Sequence, residues 1–207
     1  MRKVFGAVLI FLGAVLVCSG LAVTAGNLWQ QEKAGASAQQ AMDRLRQQMP
    51  DQPVQAPTAV PVWPEMEETS REELRSMPEV VIDGVAYVGY LTIPALNLEL
   101  PVISQTTTEN LELAPCRFSG TAYQKDFVIG GHRYRRHFRK LSTLGYGQII
   151  RFTDMDGNEF TYEVAEQEVL QPSQAQYLCT GDWDLSLYTC PPGGLTRVVL
   201  RCLRVSG

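Results

Sequence analysis

The hydrophobic pattern of this 207-residue chain begins with an uninterrupted apolar run from Val4 to about Ala25, preceded by Arg2 and Lys3. A run of about 22 residues without a charge is long enough to cross a bilayer as a helix. Positive residues before it favour a cytoplasmic N-terminus, with everything after the run outside. The sequence therefore predicts an N-terminal signal-anchor transmembrane helix over residues 1–26.

A cleavable signal peptide is the main alternative for this run, because Val23-Thr24-Ala25 is a tolerable small-residue cleavage site. The retained anchor is favoured because the run exceeds the usual signal core of about 7–15 residues. A lipoprotein anchored through Cys18 is disfavoured, because the bulky Val17 stands where a small residue is needed.

Residues 27–79 have a different composition, rich in Gln, Ala and then Pro. Residues 27–49 indicate a weakly amphipathic helix. Five prolines between Pro50 and Pro64 predict an extended, semi-rigid spacer, which an acidic segment follows. We interpret residues 27–79 as a stalk that lifts a domain off the membrane. Folding of this segment back onto the domain is left open.

From about Val80 the pattern changes to short stretches of β-branched and aromatic residues separated by turns. An Asp156-Gly157 turn separates two of them, as in a β-hairpin. Short strands at this spacing predict an antiparallel barrel or sandwich over residues 80–207. The predicted strands are Tyr87–Ile93, Leu98–Ile103, Phe127–His132, Gln148–Thr153, Glu159–Leu170, Asp184–Cys190 and Thr196–Val205.

Two segments of this domain have a helical pattern instead. Thr107–Leu113 begins with a residue that can cap a helix. His137–Leu144 places Phe138, Leu141 and Leu144 on one side, which predicts a helical turn packed against the core.

The net charge limits the kinds of partner that the chain is expected to bind. The chain carries a net charge of −4, which disfavours nucleic acid. Residues 80–207 contain 11 Lys/Arg and 13 Asp/Glu, a net of −2. This balance does not indicate a polyanion or an acidic-lipid surface as a partner.

The chain has five cysteines and two histidines. Four cysteines, Cys116, Cys179, Cys190 and Cys202, would lie outside the membrane, where two disulfides are one interpretation. Their spacing fits no zinc pattern, so the sequence predicts no metal site and no cofactor.

Cys190 ends a predicted strand before the loop Pro191–Leu195, a position exposed at a rim. The next strand returns antiparallel and brings Arg197 near it. A cation beside a thiol lowers the pKa of that thiol and can hold a developing oxyanion. Arg197 shares one strand face with Arg201, whereas Cys202 falls on the other face and is interpreted as a core thiol.

Either histidine could pair with a nucleophilic cysteine in acyl transfer. His132 follows a strand and two glycines, which would let the backbone turn sharply. His137 lies five residues farther on, and spacing alone does not choose between the two.

Three ordered segments resemble the sortase family. Ile129-Gly130-Gly131-His132 is similar to the (A/G)-G-H segment of sortases. Leu185–Cys190 (LSLYTC) is similar to their T-L-x-T-C segment, with Ser186 in place of the Thr. Arg197 opens R-V-V-L-R, similar to the hydrophobic strand that begins with the sortase arginine.

The resemblance implies a mainly β domain: a closed eight-stranded sortase-type β-barrel with short helices. It also implies a cysteine transpeptidase with Cys190 as nucleophile, His132 as general acid and base, and Arg197 as oxyanion stabiliser and substrate-orienting residue. The backbone N–H of Thr189 or Cys190 would be a further oxyanion donor.

The implied partners are surface proteins that bear an LPxTG-like sorting signal and an amine nucleophile from a cell-wall precursor or a pilin. The implied location is the cell membrane of a Gram-positive-type bacterium, with the catalytic domain on the extracellular face. The subclass is left open between a short class B-like and a class D-like enzyme. A hydrolase of surface peptides and a catalytically silent binding module are the alternative functions.

Overall fold

The computed structural model describes residues 2–49, 77–190 and 196–205. A single helix, α1, extends over Arg2–Gln48, and its apolar N-terminal part is long enough to cross a membrane by length and composition. The predicted proline-rich spacer and acidic segment lie outside the described residues, as does the loop after Cys190.

Among the residues that the structure describes, nine strands follow α1 and form one sheet. A second helix, α2, covers Thr108–Leu113, and the Thr107 side chain accepts the Asn110 N–H at its start, which confirms the predicted cap. Short 3-10 helices cover Pro94–Leu96, Phe138–Thr143 and Pro172–Cys179. The strands are β1 Val80–Ile82, β2 Val85–Ile93, β3 Leu98–Ile103, β4 Cys116–Ser119, β5 Phe127–Gly130, β6 Ile149–Asp154, β7 Glu159–Leu170, β8 Leu185–Thr189 and β9 Arg197–Arg204.

Eight of these strands close into a barrel, in the order β2-β3-β4-β5-β8-β9-β7-β6, and β6 pairs with β2 to complete the ring. The small β1 pairs with the first residues of β2, outside the ring. A register shift at Gly89 marks the point where β2 changes neighbour from β1 to β6. A side chain at Gly89 would overlap the Thr153 carbonyl oxygen, so glycine permits the close approach of β2 and β6.

The strand directions correct part of the sequence prediction. Most neighbours are antiparallel as expected, but β3–β4 and β5–β8 are parallel. Parallel neighbours need a long connection. The segment containing α2 connects β3 to β4, and β6 with β7 lies in the chain between β5 and β8. Alternation along a strand identifies its faces but not its direction, so the sequence pattern could not distinguish these pairs.

Large apolar side chains from most strands of the ring fill the barrel interior. Phe127, Phe152 and Tyr162 are among the largest fully buried residues. Cys202 lies in this core, as its strand face predicted. Phe138, Leu141 and Leu144 are buried against it as predicted.

A second apolar cluster lies outside the ring, beneath α1. Ala41, Met42 and Leu45 of the helix pack there with residues such as Tyr87 and Ile103. The buried positions of α1 recur every three or four residues from Ala34 to Leu45, as in a helix that lies on a surface. The second half of α1, within the segment interpreted as a stalk, therefore packs against the barrel. Ion pairs of Arg44 with Asp83 and Arg46 with Glu99 flank this contact.

A third cluster lies under the 3-10 helix Pro172–Cys179, and Arg201 joins that helix to the barrel. The guanidinium donates to the Glu168 carboxylate at 2.6 Å, to the Tyr177 and Leu178 carbonyl oxygens, and to the Ser186 hydroxyl at 2.9 Å. Arg201 is only 3% exposed, so its charge depends on these partners.

Arg201→Lys is therefore expected to lower the free energy of unfolding by about 3 kcal/mol, because an ammonium cannot reach four acceptors and leaves the buried Leu178 carbonyl and Ser186 hydroxyl without their donor. Arg151→Lys is the matched control, since Arg151 is a partly exposed arginine on β6 paired with Glu159. Its effect should stay within about 0.5 kcal/mol. Denaturant unfolding followed by circular dichroism measures both. Equal losses would show that the Arg201 contacts do not stabilise the fold.

Candidate active site

Three neighbouring strands, β5, β8 and β9, bring the predicted residues to one edge of the sheet. The parallel pair β5–β8 places Gly130 opposite Tyr188, and the Gly131 N–H continues the ladder by donating to the Tyr188 carbonyl at 3.0 Å. His132 and Cys190 each follow this pair by two residues. Parallel strands end at the same edge, so both residues leave the sheet there.

Arg197 reaches the same edge from β9. Thr189 pairs with Val198, so the next facing positions outward are Cys190 and Arg197. Facing residues of an antiparallel pair project to the same side of the sheet. That side carries Tyr188, whose ring belongs to the cluster on the outside of the barrel.

Tyr188 reports on the charges of this edge. Burial and, to a smaller extent, the Cys190 thiolate raise the pKa of its hydroxyl to about 12, and the Arg197 guanidinium opposes the rise. Both groups are therefore close enough to Tyr188 to act on its ionisation. The Phe118 ring meets the Tyr188 ring edge-on at 5.8 Å and continues the aromatic surface across β4.

The two glycines before His132 allow close packing, which differs from the sharp turn that the sequence predicted. A side chain at Gly130 would overlap the Tyr188 ring, and one at Gly131 would lie 2.7 Å from the Phe138 ring. Neither glycine is among the residues with positive φ in the described part of the chain. The segment before His132 therefore lies flat between two aromatic rings, which fixes where the histidine emerges.

His132 is half-buried, and its ring lies 5.0 Å from the ring of Tyr134, centroid to centroid. Burial lowers the pKa of the imidazole below its ordinary value, and the nearby Glu112 carboxylate opposes that shift. A neutral imidazole near neutral pH can accept a proton, which suits a general base. Sequence reasoning missed Glu112 as a neighbour of His132, because α2 and the segment after β5 meet only in the folded barrel.

His137 has a different environment, beneath α1. The ring is 2% exposed and neither nitrogen is hydrogen-bonded among the described residues. Burial lowers the pKa of the His137 imidazole to about 4, although the Ala34 backbone favours the protonated form. The structure thus distinguishes the two histidines that sequence spacing left equivalent: His132 is partly open, and His137 is enclosed.

This burial gives a pH dependence. The pKa of His137 is lower in the folded chain than its ordinary value of 6.5, so the unfolded chain binds more protons between pH 6.5 and about 4. Stability should therefore fall as the pH drops through that window, by about 3 kcal/mol from this residue. His137→Leu should make unfolding less sensitive to pH there. Melting curves of both proteins from pH 7 to 4.5 test this; parallel pH profiles would show that His137 is not the source.

The remaining predicted site residue, Thr189, is 2% exposed, and its hydroxyl has no hydrogen-bond partner among the described residues. All five cysteines are free thiols, so the two-disulfide interpretation is not what the structure shows. Burial raises the pKa of Cys116 and of Cys202 to about 12, which keeps both protonated. Cys190 is half-buried and Cys179 is exposed. In the described ranges, no three His, Cys, Asp or Glu side chains are grouped to hold a metal ion.

Comparison with known proteins identifies the family of the domain. The sortase domain family profile matches residues 91–205. Sortase D of Bacillus subtilis is 28% identical over 109 residues, which are 50% of this chain and 54% of the relative. Sortase A of Bacillus anthracis is 25% identical over 130 residues, 57% of this chain and 59% of the relative.

The fold is similar to that of sortase A from Corynebacterium diphtheriae, with a TM-score of 0.53, 25% identity and coverage of 58% of this chain and 61% of that one. The chain spans a little over half the length of the curated relatives it matches. The family profile covers more than half of the chain, and the eight-stranded barrel agrees with it. The chain therefore belongs to the sortase family.

Proposed function

We propose that this chain cleaves an LPxTG-like sorting signal and transfers the acyl group of the amino-terminal fragment, which ends in the Thr of the signal, to an amine of a cell-wall precursor or a pilin. The observation that carries the proposal is the register of β5, β8 and β9, which places His132, Cys190 and Arg197 at one edge of the barrel. A nucleophile, a proton carrier and a cation at one place are the groups that acyl transfer needs.

The first half-reaction begins with attack of the Cys190 thiolate on the carbonyl between Thr and Gly of the signal. A tetrahedral oxyanion forms, the C–N bond breaks, and His132, which has taken up the proton that the Cys190 thiol releases on forming the thiolate, gives that proton to the departing amine. The product is a thioester on Cys190. In the second half-reaction His132 removes a proton from the incoming amine, which attacks the thioester and releases the Cys190 sulfur as a thiolate.

Arg197 faces Cys190 and would donate hydrogen bonds to the oxyanion. A backbone N–H of Thr189 or Cys190 would be a second donor. The Thr189 side chain is enclosed, so any role of this residue in the oxyanion site falls to its backbone.

Arg197→Lys is expected to lower the rate of transpeptidation by about 100- to 1000-fold, the usual cost of one lost oxyanion donor. The charge is kept, but an ammonium lacks the planar fork of donors that a guanidinium presents. Arg151→Lys on β6 is the control and should keep nearly the full rate. An Arg197→Lys enzyme with near-normal kcat would remove Arg197 from the oxyanion site.

We also infer that α1 anchors the enzyme in the membrane, with the N-terminus inside and the barrel on the extracellular face. The apolar length of α1 and the two cations at its N-terminal end support this topology. Its clients would be surface proteins that carry the sorting signal.

Product analysis tests the proposed reaction. An LPxTG-like peptide and a glycine-based amine should give the joined product, whose yield rises with amine concentration at the expense of the free acid. A hydrolase would give the same acid at every amine concentration. A silent binding module would give neither product and would not react with a thiol-directed peptide probe.

A further inference from the structure

A cleft of about 510 Å³ lies between α1 and the barrel. The residues Arg135, Arg136 and Lys140, from the segment after β5, line it on one side, and Gly35 and Gln39 of α1 line it on the other. A side chain at Gly35 would overlap the Arg136 side chain, so glycine leaves room for that arginine against the helix. We call this feature the cationic cleft.

Positive charge is concentrated here. Five of the eleven basic residues of 80–207 fall within 133–140, and that segment contains no acidic residue. Within the described ranges, the only ion pair made by the three basic residues of the cleft joins Arg135 to Glu32 at 4.0 Å. Glu99 also lines the cleft but is already paired with Arg46. The net charge of −2 for the domain conceals this concentration, which is why the sequence balance predicted no acidic-lipid surface.

The cationic cleft lies a short distance beyond the apolar part of α1. Leu28 and Trp29 are exposed at 63% and 68%, and tryptophan prefers the membrane interface. Glu32, the partner of Arg135, follows Trp29 by three residues, or about 4.5 Å along the helix axis. Gly35 follows by about 9 Å. Each headgroup layer is about 5–8 Å thick, so the near end of the cleft lies at headgroup height when Trp29 is at the interface.

We propose that the cationic cleft binds phosphate groups of anionic lipids at the outer surface of the membrane. The proposal rests on the membrane anchoring inferred above for α1. Each lysine or arginine near an anionic surface favours binding by about fivefold. Binding there would hold the edge that carries His132, three residues before Arg135, towards the membrane, in addition to the tether that α1 provides.

The full chain in lipid nanodiscs tests the proposal. One set contains phosphatidylcholine alone, and the other an equal mixture of phosphatidylcholine and phosphatidylglycerol. A water-soluble amine-acylating reagent is added, and modification of Lys140 and Lys125 is followed by mass spectrometry. Lys125 is exposed, pairs with Asp182 and precedes β5, at the opposite end of that strand, so it is an internal control.

Lys140 should react about fivefold more slowly in the anionic discs, whereas Lys125 should react equally in both. The variant Arg135→Gln/Arg136→Gln should lose most of the slowing at Lys140. Equal Lys140 rates in the two lipids, equal slowing of both lysines, or failure of the chain to co-elute with the discs would overturn the proposal. Slowing of Lys140 by inorganic phosphate in phosphatidylcholine discs would also overturn it, because the site would then bind soluble phosphate.

Peptide turnover distinguishes this inference from the proposed reaction. Arg135→Gln/Arg136→Gln should keep the wild-type rate on a soluble LPxTG-like peptide in detergent. If wild-type chain shows lipid-dependent protection of Lys140 but no turnover, the transpeptidase proposal fails and the lipid site stands. If turnover is normal and protection is absent, the lipid site fails alone.

Discussion

Replacement of Cys190 by alanine is expected to reduce transpeptidation by about 10⁴-fold or more and to abolish the thioacyl enzyme. The reason is that the other cysteines are not placed or ionised to replace Cys190 as nucleophile. Cys116 and Cys202 are buried, with pKa values raised by that burial to about 12, so neither supplies a thiolate at neutral pH. Cys18 lies in the apolar part of α1. The steady-state rate with an LPxTG-like peptide and a glycine-based amine measures the loss.

Cys179→Ala is the matched control for this experiment. Cys179 is exposed, ends the 3-10 helix after β7, and lies 3.2 Å from the Ser119 hydroxyl. It does not share the edge formed by β5, β8 and β9, so its removal should leave the rate nearly unchanged. Transfer by Cys190→Ala, or a dead Cys179→Ala, would show that the nucleophile has been assigned to the wrong cysteine.

The second large effect is expected from His132. His132→Ala should lower kcat by about 10²- to 10⁴-fold, the range for a lost general acid and base. His132 is partly open, and burial keeps the imidazole neutral at neutral pH, so it can exchange protons with a bound substrate. The measurement is the same steady-state transpeptidation rate, determined well below the melting temperature of each variant.

His137→Ala is the comparison for His132. Its ring is enclosed beneath α1, so the variant should lose stability, through a cavity and a weakened helix contact, more than turnover. Equal losses of kcat in two folded variants would contradict the assignment of His132. Arg201 lies on the same strand as Arg197 but is not a suitable control for it, because the four hydrogen bonds of the buried Arg201 guanidinium make a change there affect stability.

The sequence predicted seven of the eight barrel strands, because each of the seven carries a run of β-branched and aromatic residues between turn residues, but it missed the four-residue β4. The helix cap at Thr107 and the helical turn that begins near Phe138 were also predicted, since a capping residue and an apolar stripe are local sequence signals. The sequence did not predict the parallel pairing of β5 with β8, although this pairing is what brings His132 level with Cys190. Strand order and direction arise from contacts far apart in the chain, which periodicity does not encode.

The position of α1 on the barrel likewise could not be predicted from the local sequence pattern. The helix signal of residues 27–49 was present, but a stripe of alanines with Met42 and Leu45 is compatible with both a free stalk and a docked helix. Only the apolar surface formed by Tyr87, Ile103 and their neighbours shows that the helix has a partner. The burial of His137 follows from that docking, so the sequence could not distinguish it from His132 by spacing.

The proposed transpeptidase reaction is tested most directly by finding which residue carries the acyl group and what then removes it. Wild-type chain mixed with an LPxTG-like peptide and quenched in acid should carry the acyl fragment, and peptide mapping should place it on Cys190. Addition of a glycine-based amine before the quench should discharge it into the joined product. An acyl group on Cys179, or an adduct on Cys190 that water removes at the same rate with and without the amine, would contradict the account.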